Sequence, residues 1–119
     1  MVATESPKAP CYLTTRGRRT GRPHTIEIWF VVRGGSAYLM AGGREHADWV
    51  RNLGADPEVT LRVGDDEYGA AGRVVAAGTP EDREARRLML AKYATPGMGD
   101  LDSWGRSALV VAIDVPAWE

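Results

Sequence analysis

The sequence predicts a small, mainly β (α+β) domain, a barrel of about six strands with two flanking helices. Three features point to it: short β-rich runs broken by glycine turns, helical spacing in only two stretches, and no regular alternation of strand and helix. The missing alternation argues against a doubly wound parallel sheet, and closing the strands into a barrel removes exposed edges. At 119 residues with 44% hydrophobic content, the chain can bury one core without covalent or metal bracing.

Residues 1–10 carry prolines and small polar side chains without apolar periodicity, and are expected to form a flexible arm ahead of a single domain spanning residues 11–119. Cys11 to Thr15 is rich in β-formers and runs into Arg16–Pro23, whose glycines and proline signal a turn. His24 to Arg33 reads as one long strand. Along it Ile26, Ile28 and Phe30 alternate with Thr25, Glu27 and Trp29, which puts the first set toward the core and the second toward a rim or cleft. Gly34-Gly35 favours a tight hairpin into a return strand, Ser36 to Ala41. Ala47, Val50 and Leu53 then recur at helical spacing, giving a helix of about three turns with Gly54 as a left-handed cap. Glu58 to Val63 and Glu67 to Ala77 form a second hairpin around Gly64-Asp65. Thr79-Pro80-Glu81-Asp82 carries a helix start, with Thr as N-cap, Pro in the first turn and acids at the positive end of the dipole. That helix is expected to run to Tyr93, packing Ala85, Leu88, Met89 and Tyr93 on the barrel and turning Arg83, Arg86 and Arg87 outward. A loop with Pro96, Gly97 and Gly99 follows. Ser107 to Val115 is the last strand, and its near-continuous apolar run makes it central or closing.

A formal net charge of -1 gives no reason to expect nucleic acid or an anionic membrane as partner through the bulk field. The single Cys11 excludes an internal disulfide framework, and no His/Cys cluster has zinc spacing. No apolar run approaches the roughly 20 residues that span a bilayer, and Met1 to Pro10 lacks the apolar stretch of a signal peptide, so a cytoplasmic location is expected. Local charge tells a different story. Arg16, Arg18, Arg19, Arg22 and His24 cluster with no carboxylate among them, and anions should collect there.

On a glycine-kinked turn, guanidinium forks and free backbone N–H groups suit phosphate or carboxylate oxygens, which makes Arg18, Arg19, Thr20 and His24 candidate anion ligands. A solvated basic turn is the plainer alternative, and nucleic acid is disfavoured because no aromatic residues are interleaved with the arginines. In Ala41-Gly42-Gly43-Arg44 a strand opens through two glycines toward a helix, bringing backbone amides close to a ligand; an ordinary turn explains the glycines as well. Behind it, Trp49 can stack on a ring and Asn52 can bond a phosphate, or the two can serve as core and surface. Acid–base candidates are Glu27 on the outward side of its strand, His46 before the first helix and Tyr93 near the end of the second. His46 has no evident Cys or Ser partner, and no serine sits in a nucleophile elbow, so a hydrolytic triad is not supported.

Taken together, Thr14-Thr15-Arg16-Gly17-Arg18-Arg19-Thr20-Gly21-Arg22-Pro23-His24, Ala41-Gly42-Gly43, Asp48-Trp49-Val50-Arg51-Asn52-Leu53 and Asp56-Pro57-Glu58-Val59 resemble the deazaflavin-dependent nitroreductase family, from about Cys11 to Val115. The resemblance implies a split β-barrel of the flavin-reductase and pyridoxamine-phosphate-oxidase type. It also implies coenzyme F-420, a deazaflavin with a phosphate and a polyglutamate tail, with flavin mononucleotide (FMN) less favoured. By the same resemblance Arg18, Arg19 and His24 meet the tail or phosphate, and Ile28 and Trp29 lie against the ring system. Ala41, Gly42 and Gly43 bring backbone to the deazaflavin, while Trp49 and Asn52 close the phosphate end. The implied activity is hydride transfer to a small electron-poor enone, imine or quinone.

Three departures qualify the likeness. The lysine and proline that many members carry before the helix are missing between Gly43 and Trp49, and the lysine of the basic turn is Arg19 here. The substrate-side tyrosines of the nitroreductase branch fall near Met98 and Leu101, so nitroimidazole activation does not carry over. Two alternatives therefore stand beside the reductase. One is a cofactor-independent acid–base enzyme on a natural-product intermediate, using Glu27 or His46; the other is a non-catalytic carrier of deazaflavin, flavin or haem. The chain is expected to be a monomer or a homodimer.

Overall fold

The computed structural model describes residues 10–93 and 107–119. Among these, strands β1 (Cys11–Arg16), β2 (Pro23–Ile28), β3 (Val31–Arg33), β4 (Ser36–Ala41), β5 (Glu58–Val63), β6 (Asp66–Val74) and β7 (Leu109–Asp114) form one antiparallel sheet. Among the described residues two helices, α1 (Asp48–Ala55) and α2 (Pro80–Tyr93), accompany the sheet, with single 3-10 turns at Arg44–His46 and Pro116–Trp118.

The strand order β2-β1-β5-β6-β7-β4-β3 puts consecutive strands at opposite edges. β2 and β3 are joined only through Trp29 and Phe30, a link that reaches about 11 Å at full stretch. A seven-stranded sheet can satisfy that link only by curling until its edges nearly meet, so the barrel is closed by the covalent chain where no ladder closes it.

This corrects the long strand expected from His24 to Arg33 and raises the strand count from about six to seven. The break has a physical cause in the last turn of α2. The Tyr93 hydroxyl lies 3.1 Å from both the N–H and the carbonyl oxygen of Phe30, and Lys92 Nζ donates to that same carbonyl at 2.7 Å. Backbone groups that a continuous strand would give to a neighbour are thus taken by a helix. The Tyr93 ring also stacks on Trp29, with centroids 4.3 Å apart and planes within 3°.

The expected alternation holds for Phe30, which is buried, for Ile26 and Ile28, half-buried against the core, and for the exposed Thr25 and Glu27, but Trp29, expected at a rim or cleft, is half-buried because it packs on Tyr93 beneath α2. β7 lies between β6 and β4, as its apolar run predicted. Its Leu109, Val111 and Ile113 point into the barrel with Leu13, Leu39 and Leu61, while Val110 and Ala112 meet Ala85, Met89 and Tyr93 beneath α2. α2 starts as expected. Thr79 Oγ1 accepts the Asp82 N–H at 3.1 Å as the N-cap, and the Asp82 carboxylate accepts the N–H of Gly78, just before the cap, at 3.2 Å. Asp82 is buried and paired with Arg86 at 3.1 Å, so Arg86 lies closer to the barrel than its outward assignment implied.

α1 differs from expectation in its length and its cap. It has 8 residues and runs through Gly54, which does not take a left-handed conformation; the chain leaves the helix at Asp56 in extended form, with the Asp56 N–H on the Asn52 carbonyl at 2.9 Å. The helix covers one mouth of the barrel with Val50 and Leu53 inward. Its approach to β6 is close: a Cβ on Gly72 would stand 3.2 Å from Leu53 Cδ2 and 3.3 Å from Ile113 Cδ1.

A polar network invisible to sequence patterning fastens β4, β6, β7 and α2. Arg73 forks onto Asp114 (Nε to Oδ2, 2.7 Å) and Glu81 (2.9 and 2.7 Å), while Tyr38 donates to Glu81 at 2.6 Å and Ser36 to Asp114 at 2.5 Å. The hydrogen bonds from Arg73 and then from Tyr38 push the Glu81 carboxyl down from 4.5 to about 2, and Arg73 likewise lowers Asp114. A carboxyl depressed in the folded state stabilises the fold above its ordinary value and loses that contribution as pH falls toward the folded value. Arg73→Met is therefore expected to cost about 1 kcal/mol near neutral pH, given the partial exposure of the pair. The gap between variant and wild type should narrow as pH drops from about 4.5 toward about 2. Urea unfolding across that range checks it, and a pH-independent gap would contradict the assignment.

Candidate functional site

The basic segment folds as the turn between β1 and β2. Gly17 N–H bonds to the Arg22 carbonyl and Gly21 N–H to the Gly17 carbonyl, both at 2.8 Å, and Gly21 takes a φ of 74° that favours glycine. Gly17 is needed for a different reason: a Cβ there would lie 3.1 Å from the His24 ring and from the Arg22 carbonyl. Thr20 Oγ1 accepts the Arg22 N–H at 3.2 Å, which braces the tip of the turn.

One buried side chain ties this turn to α1. Asn52 is 2% exposed, and its Oδ1 accepts both the Arg18 backbone N–H at 3.2 Å and Arg18 Nη1 at 2.8 Å. Its Nδ2 donates to Oγ1 of the buried Thr15 at 3.1 Å, which settles the orientation of the amide. Asp48, one turn earlier on the same helix face, reaches Arg18 Nη2 at 3.3 Å. Arg18, Asp48 and Asn52 line a hollow of about 240 Å³ with Gly17, Arg19, Thr20 and His24. Among the described residues the Arg19 and Arg22 guanidiniums have no ion-pair partner, whereas Arg16 is matched by Asp56 and Glu58 at 3.6 Å each. The larger hollow of about 290 Å³ on the Arg16 side is therefore close to neutral, and the smaller one carries the positive field.

The glycine bend lies at the same mouth of the barrel. Ala41 ends β4 and is buried; Gly42 and Gly43 are exposed, and a Cβ on Gly42 would meet nothing within 4 Å, so its backbone faces open space. Gly43 stands against Ala47, with a 3.5 Å approach between the two Cβ positions, and Ala47 immediately precedes Asp48. Arg44 then adopts φ 54°, left-handed backbone in a non-glycine residue, with its guanidinium on the Ser107 carbonyl and beside Glu45 at 3.6 Å. A short path of Gly43, Ala47 and Asp48 thus leads from the bend to Arg18 of the basic turn.

The remaining candidates are placed apart from this cluster or beside it. Glu27 lies on the outer face of β2, accepting the Tyr12 hydroxyl at 3.3 Å, and Arg62 covers the Tyr12 ring at 4.2 Å. His46 is exposed next to the bend, 3.4 Å from Arg51 Nη2. Tyr93 is fully buried, its hydroxyl held by Phe30, so it belongs to the barrel latch and not to the basic mouth. Ile28 and Trp29 sit at the barrel break, and Trp49 is half-buried against the core. Met98 and Leu101, at the positions of the family's substrate-side tyrosines, lie outside the described residues.

The family model for F420H(2)-dependent quinone reductases matches residues 2–116. The chain belongs to this family. An F420H(2)-dependent quinone reductase of Mycobacterium tuberculosis is 32% identical over 80 residues, covering 64% of this chain and 51% of that protein, so the chain spans about half the length of the curated relatives it matches. Solved structures show the fold: an F420-H2 dependent reductase superposes with TM-score 0.73 at 19% identity, covering 95% of this chain and 100% of that one. HutZ, the haem storage protein of Vibrio cholerae, gives 0.73 at 15% identity over 91% and 82%. A pyridoxamine 5'-phosphate oxidase-type protein of Listeria innocua gives 0.63 at 15% identity over 90% and 83%. The architecture is the split barrel expected from the resemblance.

The family is named for oxidoreductases that use reduced coenzyme F-420. The residues present fit such a group, because an anion-seeking hollow with a fixed arginine opens beside an unobstructed glycine backbone. Sequence reading missed Asp48 as the partner of Arg18, although its i,i+4 relation to Asn52 puts both on one helix face. It also missed Thr15 as the support for Asn52. Asn52→Leu leaves the Thr15 hydroxyl and two Arg18 donors without their acceptor or donor, and is expected to lower unfolding free energy by about 1–3 kcal/mol. Asn52→Asp should be milder, since the Thr15 hydroxyl can reverse and donate. Chemical denaturation of both variants checks the order, and equal losses would contradict it.

Proposed function

We propose that the chain binds reduced coenzyme F-420 through its phosphate and carboxylates at the basic turn and glycine bend, and delivers its hydride to an electron-poor small organic acceptor. A quinone is the first candidate, in keeping with the activity for which the mycobacterial relatives are named, and an enone or imine is the next. The observation that carries the reading is the fixing of Arg18 by the buried Asn52 at the mouth where Gly42 presents open backbone.

When bound, the deazaflavin supplies a two-electron hydride donor, and the protein has no covalent chemistry to perform. Arg18, Arg19, Thr20 and His24 are assigned to the anionic end, where preorganised donors lose little freedom on binding. Gly42 and Gly43 allow backbone to come close, and Trp29 and Ile28 are assigned to the ring side. The role of the chain is then to hold donor and acceptor in register while apolar walls exclude water. Of the three acid–base candidates, His46 alone stands by the bend, and its exposure leaves solvent free to supply the proton for the reduced acceptor.

The competing readings have less support. Glu27 and His46 do not converge on one hollow, which weakens cofactor-independent acid–base catalysis. A haem or flavin carrier shares only the fold, as the 15% identity to HutZ allows no more. Fluorescence titration with coenzyme F-420 and with FMN, followed by stopped-flow oxidation with quinones and enones, separates the three. Arg18→Ala with Arg19→Ala is expected to weaken F-420 binding by about tenfold or more, with the fold retained. Unchanged affinity would remove the site; binding without turnover on any acceptor would favour the carrier, and turnover by cofactor-free protein the acid–base enzyme.

A further inference from the structure

The mouth proposed to receive an anion already holds one. Asp48 lines the same hollow as Arg19, Thr20 and His24, and its Oδ1 lies 3.3 Å from Arg18 Nη2. That separation exceeds the roughly 2.7–2.9 Å of a charge-assisted hydrogen bond. The two side chains differ sharply in fixity. Arg18 is 24% exposed and is pinned to Asn52 through both backbone and guanidinium, whereas Asp48 is 82% exposed and makes no second polar contact among the described residues. One donor nitrogen of a fixed arginine therefore faces a loosely held carboxylate standing largely in water.

We propose that Asp48 is a displaceable internal carboxylate, occupying the anion seat on Arg18 until a phosphate or carboxylate oxygen of the ligand takes that seat and sends Asp48 into solvent. The inference rests on the reading of this mouth as a cofactor site and adds to it the residue that sets affinity. Exposed ion pairs contribute little, so release of Asp48 costs little. Its charge nevertheless stays within a few ångströms of the bound anion and opposes it, an effect that salt screens. Displacement also confers selectivity. A ligand bearing the anionic group gains Arg18 Nη2 in exchange for the lost pair, while a ligand without that group gains nothing and leaves the pair in place.

The test compares wild type, Asp48→Asn and Asp48→Ser, each checked for a native melting curve. Affinities are measured for inorganic phosphate, for coenzyme F-420 and for the phosphate-free riboflavin-level deazaflavin, at low and high salt. Both variants are expected to bind phosphate and F-420 about three- to fivefold more tightly at low salt. The gain should shrink at high salt, and affinity for the phosphate-free deazaflavin should stay the same. F-420 binding by wild type that neither substitution tightens would overturn the inference and leave the cofactor site standing. Tighter phosphate binding by the variants, with no F-420 binding by any form, would sustain the inference and overturn the cofactor reading.

Discussion

The two-residue link between β2 and β3 is the constraint on which the rest of the molecule depends. Strands adjacent in the chain occupy the two edges of one sheet, so the sheet must roll until Trp29 and Phe30 can bridge it. Tyr93 and Lys92 hold that bridge by taking the Phe30 backbone groups, which fixes α2 over the seam and buries a second apolar layer between helix and sheet. Rolling has a further consequence at the opposite mouth. β1 and β4 both end there, and α1 crosses between them, so residues far apart in the chain share one rim.

At that rim a polar group is buried on purpose and fully used. Burying an amide without partners would be costly, yet Asn52 spends its oxygen on two Arg18 donors and its nitrogen on Thr15. The reward is a guanidinium whose position is set before any ligand arrives, flanked by two arginines without ion-pair partners among the described residues. Fixed and free cations side by side suit a ligand with one defined anionic group and a flexible, multiply charged extension, as coenzyme F-420 has. The left-handed Arg44 and the open backbone at Gly42 complete a mouth in which main chain and side chain face the same space.

Much of the fold was legible because local chemistry and tertiary role agree. The Gly34 and Gly64 hairpins take left-handed φ of 60° and 61°, the Thr79 cap starts α2 as its sequence indicates, and the two-faced apolar run of β7 ends up central. Failures fall where tertiary partners override local pattern. Nothing in HTIEIWFVVR announces that a tyrosine sixty-odd residues later takes the backbone of Phe30. Gly54 carries the signature of a left-handed cap, but the chain continues helically to Ala55 and turns at Asp56. In the site, charge clustering marked the basic turn and helical spacing placed Asn52 nearby. Their joining through one amide, and the intrusion of Asp48, depend on side-chain directions across the rim that no single segment encodes.

Amide-resolved titration with coenzyme F-420, followed in proton–nitrogen correlation spectra, tests most directly whether turn and bend form one site. If they do, the backbone signals of Gly17, Arg18, Arg19, Thr20, Gly42 and Gly43 move together with a single dissociation constant. Movement confined to one of the two segments, or centred on the outer face around Tyr12 and Arg62, would contradict a single site.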